Sequence, residues 1–208
     1  LWYSSLYSNQ TGFFNTAGGT QSLYTNSDGT WNVGLGSQAL YTNLWWDYNV
    51  AIWWQSLYLN SSGNDNVAVW YQALRASTAG ENIGIGSMAG SGITTGIGNI
   101  MIGHEVQSAN GNTASNQLNI GNWIYGSGGN IGIGVSNPSA KLEINGQIEI
   151  TGWSPWAGKV LTSDAGGLAT WQTPSGGGGT GGVTGGQANY AARWIDSTTL
   201  WTGALTDD

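Results

Sequence analysis

Few residues of this chain have the type and spacing that chemistry requires. The single His, His104, precedes Glu105, but a zinc-protease helix needs a second His four residues after the first, and position 108 is Ser. Four acidic residues recur near turns: Asp28, Asp47, Asp65 and Glu81. They could offer oxygen ligands to calcium, but they lack the dense Gly-Gly-x-Gly-x-Asp spacing of calcium-binding β-rolls. We therefore predict no catalytic residue, no metal site and no cofactor.

Three Gly-x-Gly pairs match part of a nucleotide phosphate loop. They are Gly34/Gly36, Gly84/Gly86 and Gly132/Gly134. Each lies in a segment of strand period, with neither a helix nor a Lys after it, and a phosphate loop requires both. The pairs are therefore predicted to be structural.

Aromatic residues at fixed positions are the strongest candidates for a binding site. Six of them fall into two series: Phe14, Trp31 and Tyr48, and Tyr3, Trp54 and Tyr71. Rings repeated in this way could stack on the faces of sugars, or they could pack coil on coil or chain on chain. Packing is favoured, because large exposed apolar patches are uncommon on soluble proteins unless they are functional.

The elements that would position these rings follow a repeat of 17 residues. Leu-Tyr pairs begin at Leu6, Leu23, Leu40 and Leu57, and Leu74 continues the series. Two Asn series keep the same step: Asn9, Asn26, Asn43 and Asn60, and Asn15, Asn32, Asn49 and Asn66. Three series in one register make coincidence improbable and indicate one structural unit per repeat.

Each repeat predicts two short strands separated by turns. One resembles Asn-Val-Ala-Ile, in which branched residues at i and i+2 place an apolar row on one face of the strand; the other resembles Gln-Ala-Leu-Tyr. This pattern predicts an all-β parallel β-roll or β-solenoid with one coil per repeat. Stacked coils would align the Asn series into two hydrogen-bonded ladders. Within one chain, the conformational entropy lost on folding nearly offsets the stabilisation from apolar burial and ladder hydrogen bonds. We therefore expect additional apolar burial between chains.

Composition excludes several classes of function. Charged residues are only 7% of the chain, and the net charge is −7 with four basic residues, so no basic stripe exists to bind a nucleic-acid backbone. No apolar run approaches the length that spans a bilayer. Without Cys, neither a disulfide nor a thiolate site is available.

The regular period extends over residues 1–103 and loosens in residues 104–129, which we expect to form an irregular cap or neck. A short β module at 130–150, with a turn at Pro138, and a β segment at 151–173 follow. Residues 174–186 are a Gly-rich linker, and 187–208 begin a further module. The chain would thus be a solenoid followed by an extended β and Gly-rich segment.

These residues give the chain a likeness to a known family. Residues 49–63 resemble the repeat Asn-Thr-Ala-Ile-Gly-Tyr-Gln-Ala-Leu-Tyr-Ser-Asn-Thr-Thr-Gly of bacteriophage tail fibres and related trimeric surface fibres. Residues 130–146 resemble a module of the same family, and residues 187–194 resemble the connector before another copy. The Val-Ala-Ile-Gly type of motif is also similar to the head repeats of trimeric autotransporter adhesins.

The resemblance implies a homotrimeric fibre segment on a virion, where it would be a rigid spacer that supports attachment to a host cell. Other virion tail proteins and a host-surface glycan are the partners that it implies, without catalysis, nucleic acid or membrane insertion. One alternative is a bacterial adhesin head on the cell surface, and another is a non-catalytic part of a polysaccharide-degrading tailspike. The chain enters in mid-repeat and stops where a module would begin, so we expect a fragment.

Tryptophan departs from the repeat at two positions. One is the slot of Gly19, Gly36 and Gly86 in sister repeats, which holds Trp2, Trp53 and Trp70, and in an irregular repeat Trp123; the other is the slot of Gly29 and Gly63, which holds Trp46. Two explanations are open: the slots are ordinary strand positions that accept Trp, or the residues there are in fact glycines. If a slot requires a positive φ, a Trp there is strained.

Overall fold

The computed structural model of the chain describes residues 3–149, 158–164 and 166–172, and the backbone alone of 190–194 and 200–204. The chain divides into two compact units, Leu1–Ile148 and Glu149–Asp208. The described residues form an all-β structure without a helix.

The first unit contains one sheet of ten short strands. They are β1 Thr16–Gly18, β2 Val33–Leu35, β3 Val50–Ile52, β4 Val67–Val69, β5 Ile83–Ile85, β6 Ile100–Ile102, β7 Leu118–Ile120, β8 Ile124–Ser127, β9 Asn130–Ile133 and β10 Leu142–Ile144. From β1 to β7 each strand pairs in parallel with the next. The predicted parallel β-solenoid is therefore confirmed, with about six turns.

The interior of each coil is narrow. The middle residue of a strand points inward, and it is Gly34 in β2, Ala51 in β3 and Ala68 in β4. A Cβ atom on Gly34 would lie 2.6 Å from Ser22 Oγ, so this strand has no room for a side chain there. Leucines of the Leu-Tyr pairs fill the rest of the core: Leu23, Leu40, Leu57 and Leu74.

The segment that resembles Gln-Ala-Leu-Tyr is not a strand, so the predicted second strand of each repeat is wrong. Gln38 has φ 58° and Leu40 has φ 52°, and the same signs recur in the other coils. Because the left-handed residues break strict alternation, two consecutive residues, such as Ala39 and Leu40, can both be buried. Neighbouring coils still bond through this segment, as in the bond from Leu23 N to Ala39 O of 3.0 Å.

Both predicted Asn ladders are present. In the first, the side-chain amide of each Asn donates to Oδ1 of the Asn one coil earlier, as from Asn43 Nδ2 to Asn26 Oδ1 at 2.9 Å. In the second, the backbone N–H donates to that oxygen, as from Asn49 N to Asn32 Oδ1 at 3.0 Å. These four side chains are fully buried, so the ladders satisfy polar groups that the core would otherwise leave unpaired.

The parallel stack extends through β7, and the chain then reverses: β8 pairs antiparallel with both β7 and β9. β10 pairs in parallel with β9, and Pro138 lies between them. In the second unit, β11 Val160–Ser163 and β12 Ala169–Gln172 form an antiparallel pair. β13 Tyr190–Trp194 and β14 Leu200–Ala204 form another. The predicted Gly-rich linker, 174–186, lies outside the described residues, and the predicted segment boundaries stay predictions.

Candidate functional site: aromatic columns and an aliphatic face

The polar candidates from the sequence lie at the surface or form hydrogen bonds between coils. His104 Nε2 lies 4.0 Å from Glu105 Oε1, and both side chains are at the surface. Asp47 Oδ1 accepts bonds from Thr30 N at 2.6 Å and Thr30 Oγ1 at 3.0 Å, one coil earlier. Within the part of the chain that the structure describes, no three His, Asp or Glu side chains form a group that could hold a metal ion.

Glu143 has a lowered pKa. Its Oε2 accepts bonds from Ser139 N at 2.6 Å and from Ser139 Oγ at 2.9 Å. These bonds favour the carboxylate form and hold the pKa of Glu143 below its usual value, the backbone bond being the larger cause. The pair lies at the surface and closes the turn before β10, so it has a local structural role.

The tyrosines of the Leu-Tyr pairs form a column along the solenoid. Tyr7, Tyr24, Tyr41 and Tyr58 stack with ring centroids 5.1–5.2 Å apart. Arg75 occupies the next position, and its guanidinium lies 5.4 Å from the Tyr58 ring centroid. Inner rings of such a column turn both faces to their neighbours, so their faces are not open to a ligand.

All six aromatic residues predicted from the sequence lie at the surface: Tyr3, Phe14, Trp31, Tyr48, Trp54 and Tyr71. The ring centroids of Phe14 and Trp31 lie 4.3 Å apart, and those of the stacked Trp54 and Tyr71 lie 5.1 Å apart. Tyr3 lies three coils before Trp54, and Thr20 and Ser37 take the intervening positions. Four of the six predicted residues therefore form two separate pairs, to which Tyr3 and Tyr48 do not belong, and the six do not form one continuous platform.

Sequence reasoning did not place Trp53 and Trp70 in the site. Their rings stack at 5.3 Å with an angle of 7° between the planes, and each residue is 52% exposed. With Trp54 and Tyr71, they form a block of four exposed rings on two neighbouring coils, which we name the aromatic corner. The glycines of sister repeats were the signal that marked this position as unusual.

The slot of Trp53 and Trp70 is not an ordinary strand position. Their φ angles are 97° and 105°, and Gly36 and Gly86 in the same slot have 147° and 126°. Residues other than glycine rarely adopt φ angles of this size and sign, so the backbone of both tryptophans is strained. A tryptophan in this slot is therefore strained, and the mass of the chain tests the second explanation, that glycine occupies it.

A second apolar surface lies on the outside of the parallel sheet. In each of the strands β2 to β7, the residue before the inward one and the residue after it are aliphatic. Their side chains point outward and are partly exposed, up to 41% at Ile85. We name these residues the aliphatic face: Val33, Leu35, Val50, Ile52, Val67, Val69, Ile83, Ile85, Ile100, Ile102, Leu118 and Ile120. The apolar row expected from the branched residues thus lies on the outer surface of the solenoid.

No helix among the described residues is long and apolar enough to cross a membrane. Comparison with protein families, with curated proteins and with solved structures finds no match.

Proposed function

We propose that this chain is a structural segment of a virion fibre, a phage tail fibre or a comparable appendage, that acts as a rigid homotrimeric spacer in host attachment. The observation that carries the proposal is the aliphatic face. It runs in register along six parallel strands, β2 to β7, of a solenoid whose own core is already filled by leucine, alanine and asparagine.

The size of the exposed apolar surface favours association. Twelve aliphatic side chains of roughly 60–120 Å², about a quarter exposed, and four rings of roughly 150–250 Å², about 40–50% exposed, leave roughly 450–800 Å² of apolar surface. A typical monomer has a largest apolar patch of roughly 300–600 Å², and a standard interface buries about 800 Å² per partner. The upper part of this range exceeds the largest apolar patch of a typical monomer and approaches one side of a protein interface.

A second copy of the chain is the partner that suits this surface best. The aliphatic face repeats along the solenoid axis, and a parallel copy offers rows of the same length and spacing. Three copies around one axis would bury all three faces without leaving an open edge, as closed symmetry requires. The likeness to trimeric fibre repeats points the same way.

Continuous ladders support a mechanical role. The Asn and Tyr columns and the backbone bonds join each coil to the next, with contacts recurring at intervals of about one coil. Bending the solenoid would disturb several of these bonds at once. A stiff trimer would hold binding modules at a distance and give them avidity.

One pair of variants tests the interface. Ile85 lies on the aliphatic face at 41% exposure, and Ile97 lies outside it, in the loop before β6, at 47%. Ile85→Thr should weaken the trimer by about 1–3 kcal/mol, because three copies each lose apolar burial, whereas Ile97→Thr should leave it unchanged. Sedimentation equilibrium over a dilution series measures both, and far-UV circular dichroism checks the fold. Equal weakening by the two variants would contradict the proposed interface.

A further inference from the structure

We propose that the Trp53–Trp70 pair fixes the axial register of neighbouring copies in the fibre. The inference rests on the proposed trimer and adds to it a role for two particular residues. A repeating surface alone specifies poorly how far one copy is shifted along the solenoid axis relative to another. Identical chains that associate through such a surface therefore need a contact that occurs at only one position along it.

The aliphatic face is nearly the same in every coil. Val50 and Ile52 of one coil correspond to Val67 and Val69 of the next, with an Ala between them in both. Parallel strands lie about 4.8 Å apart, so a copy displaced by one coil would make almost the same aliphatic contacts. Repeating faces of this kind permit slipped registers unless one feature opposes them.

The slot that follows each strand breaks this uniformity. It holds Gly19, Gly36, Gly86 and Gly103 in four coils, but Trp53 and Trp70 in two adjacent coils. Trp53 N donates to Leu35 O at 2.6 Å and Trp70 N to Ile52 O at 2.8 Å, so both continue the strand ladder. The indoles therefore adjoin the aliphatic face and form a block two coils high, with glycines before and after it.

Backbone strain indicates that the indoles have a role. Glycine suits the slot, because a Cβ atom on Gly36 would lie only 2.4 Å from Trp53 O. The chain nevertheless holds two tryptophans at φ 97° and 105°, each half-exposed. Strained residues of this kind cluster at functional positions, where an interaction compensates for the strain.

The geometry favours a second copy over a sugar as the partner. Each indole of the pair covers one face of the other at 5.3 Å, which leaves the ring edges and one outer face each. Ring edges and outer faces pack well against apolar protein surfaces, and the aliphatic face beside the pair is the surface on which a second copy is proposed to lie. In register, the pairs of all copies lie at one height and bury roughly 160–260 Å² of indole surface per copy; a shift of two coils would place them opposite glycine.

Photo-crosslinking within the full chain tests the proposal. A benzophenone amino acid replaces Leu35 on the aliphatic face, and unlabelled and ¹⁵N-labelled chains are mixed so that crosslinks between copies are recognised. Because every coil has its own sequence, mass spectrometry of the crosslinked peptides identifies the coil that was reached. The original chain is compared with Trp53→Gly/Trp70→Gly, which restores the residue of sister coils, and with the control Trp54→Ser/Tyr71→Ser.

All three proteins should have the trimer mass. In the original chain and the control, crosslinks should stay within one coil of Leu35, whereas in the double Gly variant they should spread over at least three coils. Confined crosslinks in the double Gly variant, or spread crosslinks in the control, would overturn the register assignment while leaving the trimer intact. A monomeric original chain would overturn the proposed function itself, and the register assignment with it.

The accessibility of the indoles gives a second readout. Acrylamide quenching is measured for the original chain and for the double Gly variant, and the difference reports on Trp53 and Trp70. Protected indoles are expected. Freely quenched indoles in a trimer would overturn the assignment and leave these rings open to another partner, such as a saccharide.

Discussion

Replacing Asn43 by Ala tests whether the buried Asn ladder supports the solenoid. Asn43 is fully buried, and its Nδ2 donates to Asn26 Oδ1 at 2.9 Å, while its Oδ1 accepts from Asn60 Nδ2 at 2.8 Å. Ala would remove both ladder bonds and leave Asn26 Oδ1, which is buried, without that donor. The variant should therefore be among the most destabilising single changes in the solenoid.

The expected loss of unfolding free energy follows from the hydrogen bonds that Asn43→Ala removes. Asn43 Nδ2 also donates to Trp46 O at 2.8 Å, and Asn43 Oδ1 also accepts from Asn49 Nδ2 at 3.3 Å. Four lost bonds at about 0.5–1.5 kcal/mol each and one buried acceptor without a donor at about 1–3 kcal/mol give a loss of about 3–9 kcal/mol. Asn9→Ala would remove three bonds but leave no buried ladder oxygen without a donor, and Asn26 Nδ2 would keep its bond to Gly29 O at 3.0 Å. It should therefore cost less, about 1.5–4.5 kcal/mol. The same substitution thus has unequal effects at the centre and at the end of one ladder.

Urea unfolding followed by far-UV circular dichroism measures these losses. Every variant is compared at one chain concentration, because association contributes to the stability of an oligomer. Asn137→Ala is the control, since Asn137 is exposed and lies outside both ladders; it should change the free energy of unfolding by less than about 0.5 kcal/mol. Equal losses for Asn43→Ala and Asn9→Ala would refute the reasoning.

Three further predictions concern single sites. Asn60 Oδ1 is buried without a hydrogen-bond partner at the point where Ser77 replaces Asn in the ladder, so Ser77→Asn should stabilise the fold by about 0.5–1.5 kcal/mol in urea unfolding. Gly84→Val should destabilise it by about 1–3 kcal/mol in the same assay, because a Cβ there would lie 2.7 Å from a core leucine; an unchanged midpoint would show a roomier interior. For Glu143, whose folded pKa is lowered, the stabilising effect is present above the usual pKa and is lost as pH falls through the lowered one. Ser139→Ala should raise the pKa in a ¹³C-detected NMR titration, and an unchanged value would contradict the assigned cause.

Much of the solenoid could be predicted because a repeat reports its own geometry. The step of 17 residues is enough to locate the strands β2 to β4 and the residues of both Asn ladders. Each Asn lies one coil from the next in the sequence, so stacking the coils stacks the amides. The hydrogen bonds then follow from the parallel register.

Backbone conformation was harder to predict. Gln38 and Leu40 have positive φ, although neither residue favours that region, and sequence periodicity alone indicated a strand. The need to close a coil of 17 residues around a narrow core overrides the local preference of these residues. The same closure directs the small Ala51 inward and the branched Val50 and Ile52 outward, which alternation by itself does not decide.

The aromatic site was predicted only in part. The sequence identified Trp54 and Tyr71 as members of one column, and the structure stacks them. The sequence did not group Trp53 and Trp70 with this column. Sister repeats have glycine in their slot, and glycine does not indicate that rings placed there would stack. Their grouping depends on the φ of the slot, which only the coordinates provide.

The mass of the assembled segment tests the central claim most directly. Native mass spectrometry should find a species of three times the 21.7 kDa chain, and denaturation of the same sample should give the chain mass that thirteen tryptophans require. A clean monomer at micromolar concentration would contradict the trimeric fibre and leave a solenoid that is stable alone. A chain lighter by multiples of the Trp-to-Gly difference would show that glycine occupies the slots of Trp53 and Trp70 and would remove the register contact.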